Sequence, residues 1–164
     1  MGRKIIIVGG VAGGASAAAR LRRLDESAEI VLVERGGYIS FANCGLPYYI
    51  GGIIRDKGNL LVQTPERMRE RFRIDVRVNS EVKKIDRDKK TVTIYSKEEN
   101  RAYEETYDKL ILSPGAEPIR PGLAGIESPR VFTLRNIPDT FRIRDFVDKA
   151  EPVRALMVGA GFIS

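Results

Sequence analysis

Lys4-Ile5-Ile6-Ile7-Val8 runs without a break into Gly9-Gly10-Val11-Ala12-Gly13-Gly14. A β-branched apolar run with no polar alternation suits a strand buried on both faces of a parallel sheet. Ala15 to Leu24, rich in Ala and Arg, reads as a helix, and Glu29-Ile30-Val31-Leu32-Val33-Glu34 as a second strand ending in an acid. Strand, glycine turn, helix, strand and acid form the βαβ unit of dinucleotide sites. There the helix N-terminus holds a pyrophosphate and the acid holds ribose hydroxyls. Glu34 stands twenty residues after Gly14, at the spacing that role requires. Val11 departs from the fingerprint, standing where its second glycine belongs. Either Gly10 or Gly13 supplies the backbone clearance instead, or the fit is looser. A plain strand-to-helix turn would use the same glycines.

Cys44 is the only cysteine, within Ser40-Phe41-Ala42-Asn43-Cys44-Gly45-Leu46-Pro47-Tyr48-Tyr49-Ile50. A lone cysteine is ordinarily a small buried hydrophobe. Here polar Asn43 and turn-forming Gly45 flank it, and an apolar, aromatic run follows. The pattern predicts a helix or turn opening at Asn43 as N-cap. A sulfur in that first turn feels the positive helix end, which favours the thiolate.

Farther along, Ile53 to Gln63 reads as a loop with a short apolar strand. Thr64-Pro65-Glu66 opens a helix reaching Arg73, with Thr64 as N-cap and Pro65 in the first turn. Its arginines, Arg67, Arg69, Arg71 and Arg73, form either a solvated face or a landing site for phosphates. Ile74–Val78 alternates as a strand. Glu81–Asp86, Thr91–Tyr95 and Ala102–Thr106 predict an antiparallel meander over about 80–107, inserted between parallel strands. Asp108–Leu112 returns as a buried strand into Ser113-Pro114-Gly115-Ala116, the kind of strand end where an open α/β sheet admits a ligand. Pro118, Pro121 and Pro129 mark an irregular connector, and Pro138–Lys149 a helix. Val153–Val158 then predicts a strand, with Gly159, Gly161 and Ser164 in the places of a second glycine fingerprint. A βαβ unit that stops at its first turn cannot bury its strand. The expectation is therefore the N-terminal piece of a longer protein.

Composition narrows the chemistry. With no histidine, the 164-residue chain excludes His-based triads, His-ligated metals and His proton shuttles within itself. One cysteine allows no internal disulfide and fits a reducing cytoplasm. No apolar run approaches a membrane span, and the apolar stretch after Met1 is too short for a signal peptide. The net charge of +6 suits an anionic partner such as a nucleotide cofactor. The basic residues are interleaved with Asp and Glu and carry no nucleic-acid motif, so no nucleic-acid partner is expected.

Two glycine fingerprints about 150 residues apart, with a cysteine and a meander between them, resemble the flavin (pyridine nucleotide) disulfide oxidoreductase superfamily. Most members carry a Cys-x4-Cys pair; here Tyr49 holds the partner position, which is similar to the single-cysteine branch. That branch holds coenzyme A-disulfide reductases, coenzyme A-dependent persulfide reductases, and NADH oxidases and peroxidases. Ser40-Phe41-Ala42-Asn43-Cys44-Gly45-Leu46-Pro47-Tyr48 resembles the Ser-Phe-x-Asn-Cys-x-Leu-Pro-Tyr signature of the first two groups.

The resemblance implies an α/β fold with a Rossmann-like FAD-binding domain over 1–120, including the meander. A connector and helix would follow over 121–150, and the first strand and turn of an NAD(P)-binding domain over 151–164. It implies FAD held by Gly9, Gly10, Val11, Ala12, Gly13, Gly14, Glu34 and Arg35, with backbone groups of Val82 at the adenine. Ser113, Pro114 and Gly115 would line the flavin pocket, while Gly159 and Gly161 would take NADH or NADPH. Cys44 would be the redox nucleophile, with Ser40 and Asn43 beside the substrate sulfur. Ser16, Arg20, Arg23 and Arg71 would face coenzyme A or its disulfide or persulfide; family members often carry a basic residue at position 72, where this chain has Phe72. A cytoplasmic homodimer with no membrane or nucleic-acid partner is also implied. Two alternatives accompany this reading: an oxidase or peroxidase cycling Cys44 through a sulfenic acid, and a non-catalytic FAD-binding module.

Overall fold

The computed structural model describes residues 2–152 and 154–159. The chain divides into two compact units, Met1–Asn43 with Asp56–Glu117, and Cys44–Arg55 with Pro118–Ser164.

In the first unit, β1 (Lys4–Val8) lies between β2 (Glu29–Val33) and β7 (Lys109–Leu112), all parallel, with Ile6 opposite both Val31 and Leu110. Successive strand residues point to opposite faces, and both faces of β1 are covered. Ile5 and Ile7 pack with Ala15, Ala18, Met68 and Ile74. Ile6 packs with Val31, Val33, Val92 and Ile94. An apolar strand without alternation is the consequence.

The helix after the glycine turn is α1 (Ala12–Leu24), so Gly13 and Gly14 form its first turn rather than preceding it. α3 (Pro65–Phe72) starts as expected, with Thr64 Oγ1 accepting from the Arg67 N–H, and ends on left-handed Arg73. Arg22, buried on α1, donates to the carbonyls of Phe72 at 2.7 Å and Arg73 at 3.0 Å. It thereby ties α1 to the end of α3.

The alternating stretch at 74–78 becomes β3 (Asp75–Arg77), which joins the parallel sheet beside β2, giving the order β3-β2-β1-β7. The meander is β4 (Ser80–Asp86), β5 (Thr91–Ser96) and β6 (Arg101–Thr106), antiparallel in that order, with a register shift between Val82 and Lys84. Glu105 on β6 accepts from Lys4 Nζ and Arg77 Nη1, each at 2.6 Å, and so links the two sheets. Burial alone would raise the pKa of Glu105; the hydrogen bonds and charges of Lys4 and Arg77 more than offset it and hold the carboxyl below its ordinary value.

In the second unit, α2 (Leu46–Ile50) packs on α4 (Ile137–Ala150). The Tyr49 and Phe141 rings meet at 5.8 Å, and Arg144 Nη1 donates to the Ile50 carbonyl at 3.0 Å. Asn136 caps α4 by accepting from the Asp139 N–H at 2.9 Å. The strand expected at Val153–Val158 is not formed: residues 154–159 lie in no strand or helix, and Leu156 and Val158 are each 90% exposed. An apolar run makes a strand only when another strand takes up its N–H and C=O groups, and among the described residues none pairs with it. Val153, Ala160, Gly161, Phe162, Ile163 and Ser164 lie outside the described residues.

Candidate functional site

The glycine turn is shaped by its own neighbours. Gly9 has φ +97°, and a Cβ there would lie 1.9 Å from the Ser113 carbonyl oxygen. At Gly14 a Cβ would lie 1.7 Å from the Gly9 oxygen, which is how close α1 comes to the turn. A Cβ on Gly10 would strike Ile39, and one on Gly13 would meet Ser113 Oγ at 2.3 Å. Glycine at all four positions is thus explained by contacts within the chain itself.

Val11 stands at the N-cap position of α1, no side chain caps the helix, and its first turn holds no acid. Ala12 and Gly13 are exposed. An uncapped thirteen-residue helix with open first-turn backbone has the donor set and dipole for a pyrophosphate, so the residues fit a dinucleotide cofactor. Glu34 is fixed beside the turn: Oε2 accepts from the Gly10 N–H and Oε1 from the Gly36 N–H, both at 2.8 Å. Each carboxylate oxygen keeps a further lone pair for a hydroxyl.

Around that turn, Arg35 is exposed and pairs with Glu117. Val82 is half-buried on β4 against the Ile6 cluster. Ser113 donates its N–H to the Val8 carbonyl at 2.7 Å, while Pro114 and Gly115 are exposed beyond β7. Ser16, Arg20 and Arg23 are all exposed on α1 and, at spacings of four and three, share one stripe. Arg71 is exposed on α3. Phe72 packs against the core cluster of Ile5 and Ile7, so position 72 serves the core here.

The stretch leading to the cysteine is pinned from two sides. Ser40, left-handed at φ +43°, donates its N–H to the Gly10 carbonyl at 2.9 Å and accepts from Val62 at 2.8 Å and Gln63 at 3.2 Å. Ala42 donates to Leu60 at 2.8 Å, and Phe41 bridges Leu61. The apolar strand expected within Ile53–Gln63 amounts to this single bridge, preceded by a 3₁₀ turn at Lys57–Leu60.

Asn43, Cys44 and Gly45 then form a 3₁₀ turn. This corrects the expected cap: α2 begins at Leu46 with Gly45 at its N-cap position and no side-chain cap, because the 3₁₀ turn intervenes. Asn43 Oδ1 is instead buried with no hydrogen-bond partner among the described residues, a state that costs about 1–3 kcal/mol. Cys44 is exposed. The residue in the family's partner position, Tyr49, is buried against Phe141. Gly159 lies among the described residues and Gly161 outside them.

The sequence pattern gives no sign of Arg22, of Glu117, of Lys97, whose Nζ donates to the Arg35 carbonyl at 2.9 Å, or of the Leu60–Gln63 brace. Arg22 is adjacent to Arg23 in a basic run, and only burial separates their roles. The others act through partners remote in sequence, which leave no local pattern.

Comparison with known proteins follows this geometry. The chain matches the pyridine nucleotide-disulphide oxidoreductase family over residues 3–164. It is 46% identical to a coenzyme A disulfide reductase of Staphylococcus haemolyticus over 162 residues, 99% of this chain and 36% of that protein. The reduced CoADR-RHD of Bacillus anthracis superposes with a TM-score of 0.90 at 61% identity, covering 93% of this chain and 28% of that one. A NAD-dependent persulfide reductase from A. fulgidus superposes with a TM-score of 0.84 at 35% identity, covering 89% and 27%. The chain spans about a third of the length of the curated relatives it matches.

Proposed function

The chain belongs to the pyridine nucleotide-disulphide oxidoreductase family, and on that premise we propose that it serves an FAD-dependent reductase of coenzyme A disulfide or persulfide. Residues 1–120 are the flavin-binding domain, 121–150 the connector, and 151–164 the opening of an NAD(P)-binding domain with Gly159 and Gly161 in its turn. Support comes from the named relatives and, above all, from one observation: an exposed lone thiol, Cys44, directly follows a buried carboxamide oxygen on Asn43 that has no partner among the described residues. A buried polar atom left open beside a nucleophile is the condition of a site awaiting a ligand.

The first turn of α1 binds the pyrophosphate through its backbone N–H groups, and Glu34 holds the ribose hydroxyls. Bound there, a flavin would supply the hydride chemistry that links a nicotinamide to the thiol. Cys44 Sγ, as thiolate, attacks one sulfur of coenzyme A disulfide. A Cys–S–S–CoA bond forms, the substrate S–S bond breaks, and one coenzyme A thiolate leaves. Over a turnover, one NADH or NADPH and one proton are consumed with one disulfide, and two thiols are produced. Asn43 and Ser40 sit beside the substrate sulfur, and the Ser40 backbone, bonded to Gly10, Val62 and Gln63, holds the turn that carries Cys44. Ser16, Arg20 and Arg23 present one hydroxyl and two forked guanidiniums to the phosphates. The protein works in a reducing cytoplasm, where a lone thiol stays reduced, as a homodimer.

The test is anaerobic incubation with coenzyme A disulfide followed by intact-mass measurement. The expected product carries one coenzyme A on Cys44, is reversed by dithiothreitol and is absent from Cys44→Ser. An unmodified chain overturns the proposal. Peroxide consumption without coenzyme A, through a Cys44 sulfenic acid, would favour an oxidase or peroxidase. Flavin binding without bleaching by NADH or NADPH would leave a binding module.

A further inference from the structure

We propose that Arg35 and Glu117 form a latch across the mouth of the dinucleotide crevice, anchored by Lys97, and that it sets how fast a bound dinucleotide leaves. The proposal rests on the flavin-binding reading of the glycine turn.

The sheet order places β1 between β2 and β7. Arg35 stands two residues past the end of β2 at Val33, and Glu117 five past the end of β7 at Leu112. Their ion pair therefore joins the chain segments that flank the carboxyl end of β1, where the glycine turn begins. The two arms also meet the turn itself. Ser113, on the β7 side, lies against Gly9 and Gly13, and Glu34, on the β2 side, accepts from the Gly10 N–H. The backbone thus leads from Ser113 at the turn to Glu117, the ion pair crosses to Arg35, and the backbone returns to Glu34 at the turn. Lys97, on the β5–β6 turn, donates from Nζ to the Arg35 carbonyl at 2.9 Å and holds that arm against the meander.

The latch is weak by construction. Its side chains are 53% and 59% exposed, and such pairs contribute little and are screened by salt. An ion pair of this kind opens readily and modulates passage without holding up the fold. Glu117 is a positioning residue, acting through Arg35.

The experiment loads the full chain with FAD, monitored by flavin fluorescence quenching, and follows release on dilution. Glu117→Gln is expected to speed release about three- to fivefold at ~0.05 M NaCl, the upper figure corresponding to ~1 kcal/mol. Wild-type release should rise toward the variant's as salt reaches ~0.5 M. In an Arg35→Gln background, Glu117→Gln should have no further effect, because the two residues act as one pair. Release from Glu117→Gln at the wild-type rate at both salts, or equal acceleration in both backgrounds, overturns the latch alone. No quenching by FAD in the wild type overturns the flavin reading and the latch with it.

Discussion

At the glycine turn, every glycine answers to a neighbour: Gly9 to the Ser113 backbone, Gly14 to Gly9, Gly10 to Ile39, Gly13 to Ser113. At the cysteine turn one polar atom answers to no partner among the described residues. Cys44 is exposed, and Asn43 Oδ1 is buried without a partner. The first turn is determined by packing, and its ligand would use what packing leaves over, the backbone N–H groups. The second leaves a buried carboxamide oxygen without a partner among the described residues, at a cost in stability.

Substitution should separate the two. The largest effect is expected at Gly14→Ala, whose new methyl would strike the Gly9 backbone oxygen. We expect a loss of about 3 kcal/mol or more in urea unfolding. Gly122→Ala, with nothing within 4 Å among the described residues and no positive φ, should stay within about 0.5 kcal/mol of wild type. Equal stability of the two variants would break the packing account.

Asn43→Leu comes next and runs in the opposite direction. Removing an unpaired buried oxygen should raise unfolding free energy by about 1 kcal/mol, while formation of the coenzyme A adduct slows. A variant that loses both stability and adduct formation would show that the carboxamide is structural.

Glu105→Gln probes the scaffold behind the glycine turn. The native Glu105 carboxyl has a lowered pKa, so its contribution is present above the ordinary glutamate value of 4.5 and fades as pH falls through the lower native value. The variant should be less stable at neutral pH and show a shallower decline on acidification, read by thermal melts across that range. Cys44→Ser should do least to the fold, within about 0.5 kcal/mol by urea unfolding, because the sulfur is exposed. A larger loss would place Cys44 among packing residues.

Much of this was legible in order along the chain. The β1–turn–α1–β2 succession, Glu34 at its end, the three meander strands, the Thr64 cap and the helix from Ile137 all follow from periodicity and cap chemistry that act within a few residues. Where local signals were followed too closely, they misled. Asn43 has the chemistry of an N-cap, yet the 3₁₀ turn at Asn43–Gly45 takes its place. The apolar run at 154–158 has strand propensity and no partner to pair with among the described residues.

The chain's own order of residues determined that a dinucleotide-type turn would follow β1 and that any thiol chemistry would fall to Cys44, because each depends on residue type and near spacing. Tertiary structure alone decided that Arg22 would be buried while Arg20 and Arg23 stayed exposed, that Phe72 would face the core, that β3 would join the parallel sheet, and that Arg35 would find Glu117. Those outcomes turn on which surfaces meet after folding, and contacts between residues far apart in the chain leave no repeat for a linear reading to detect.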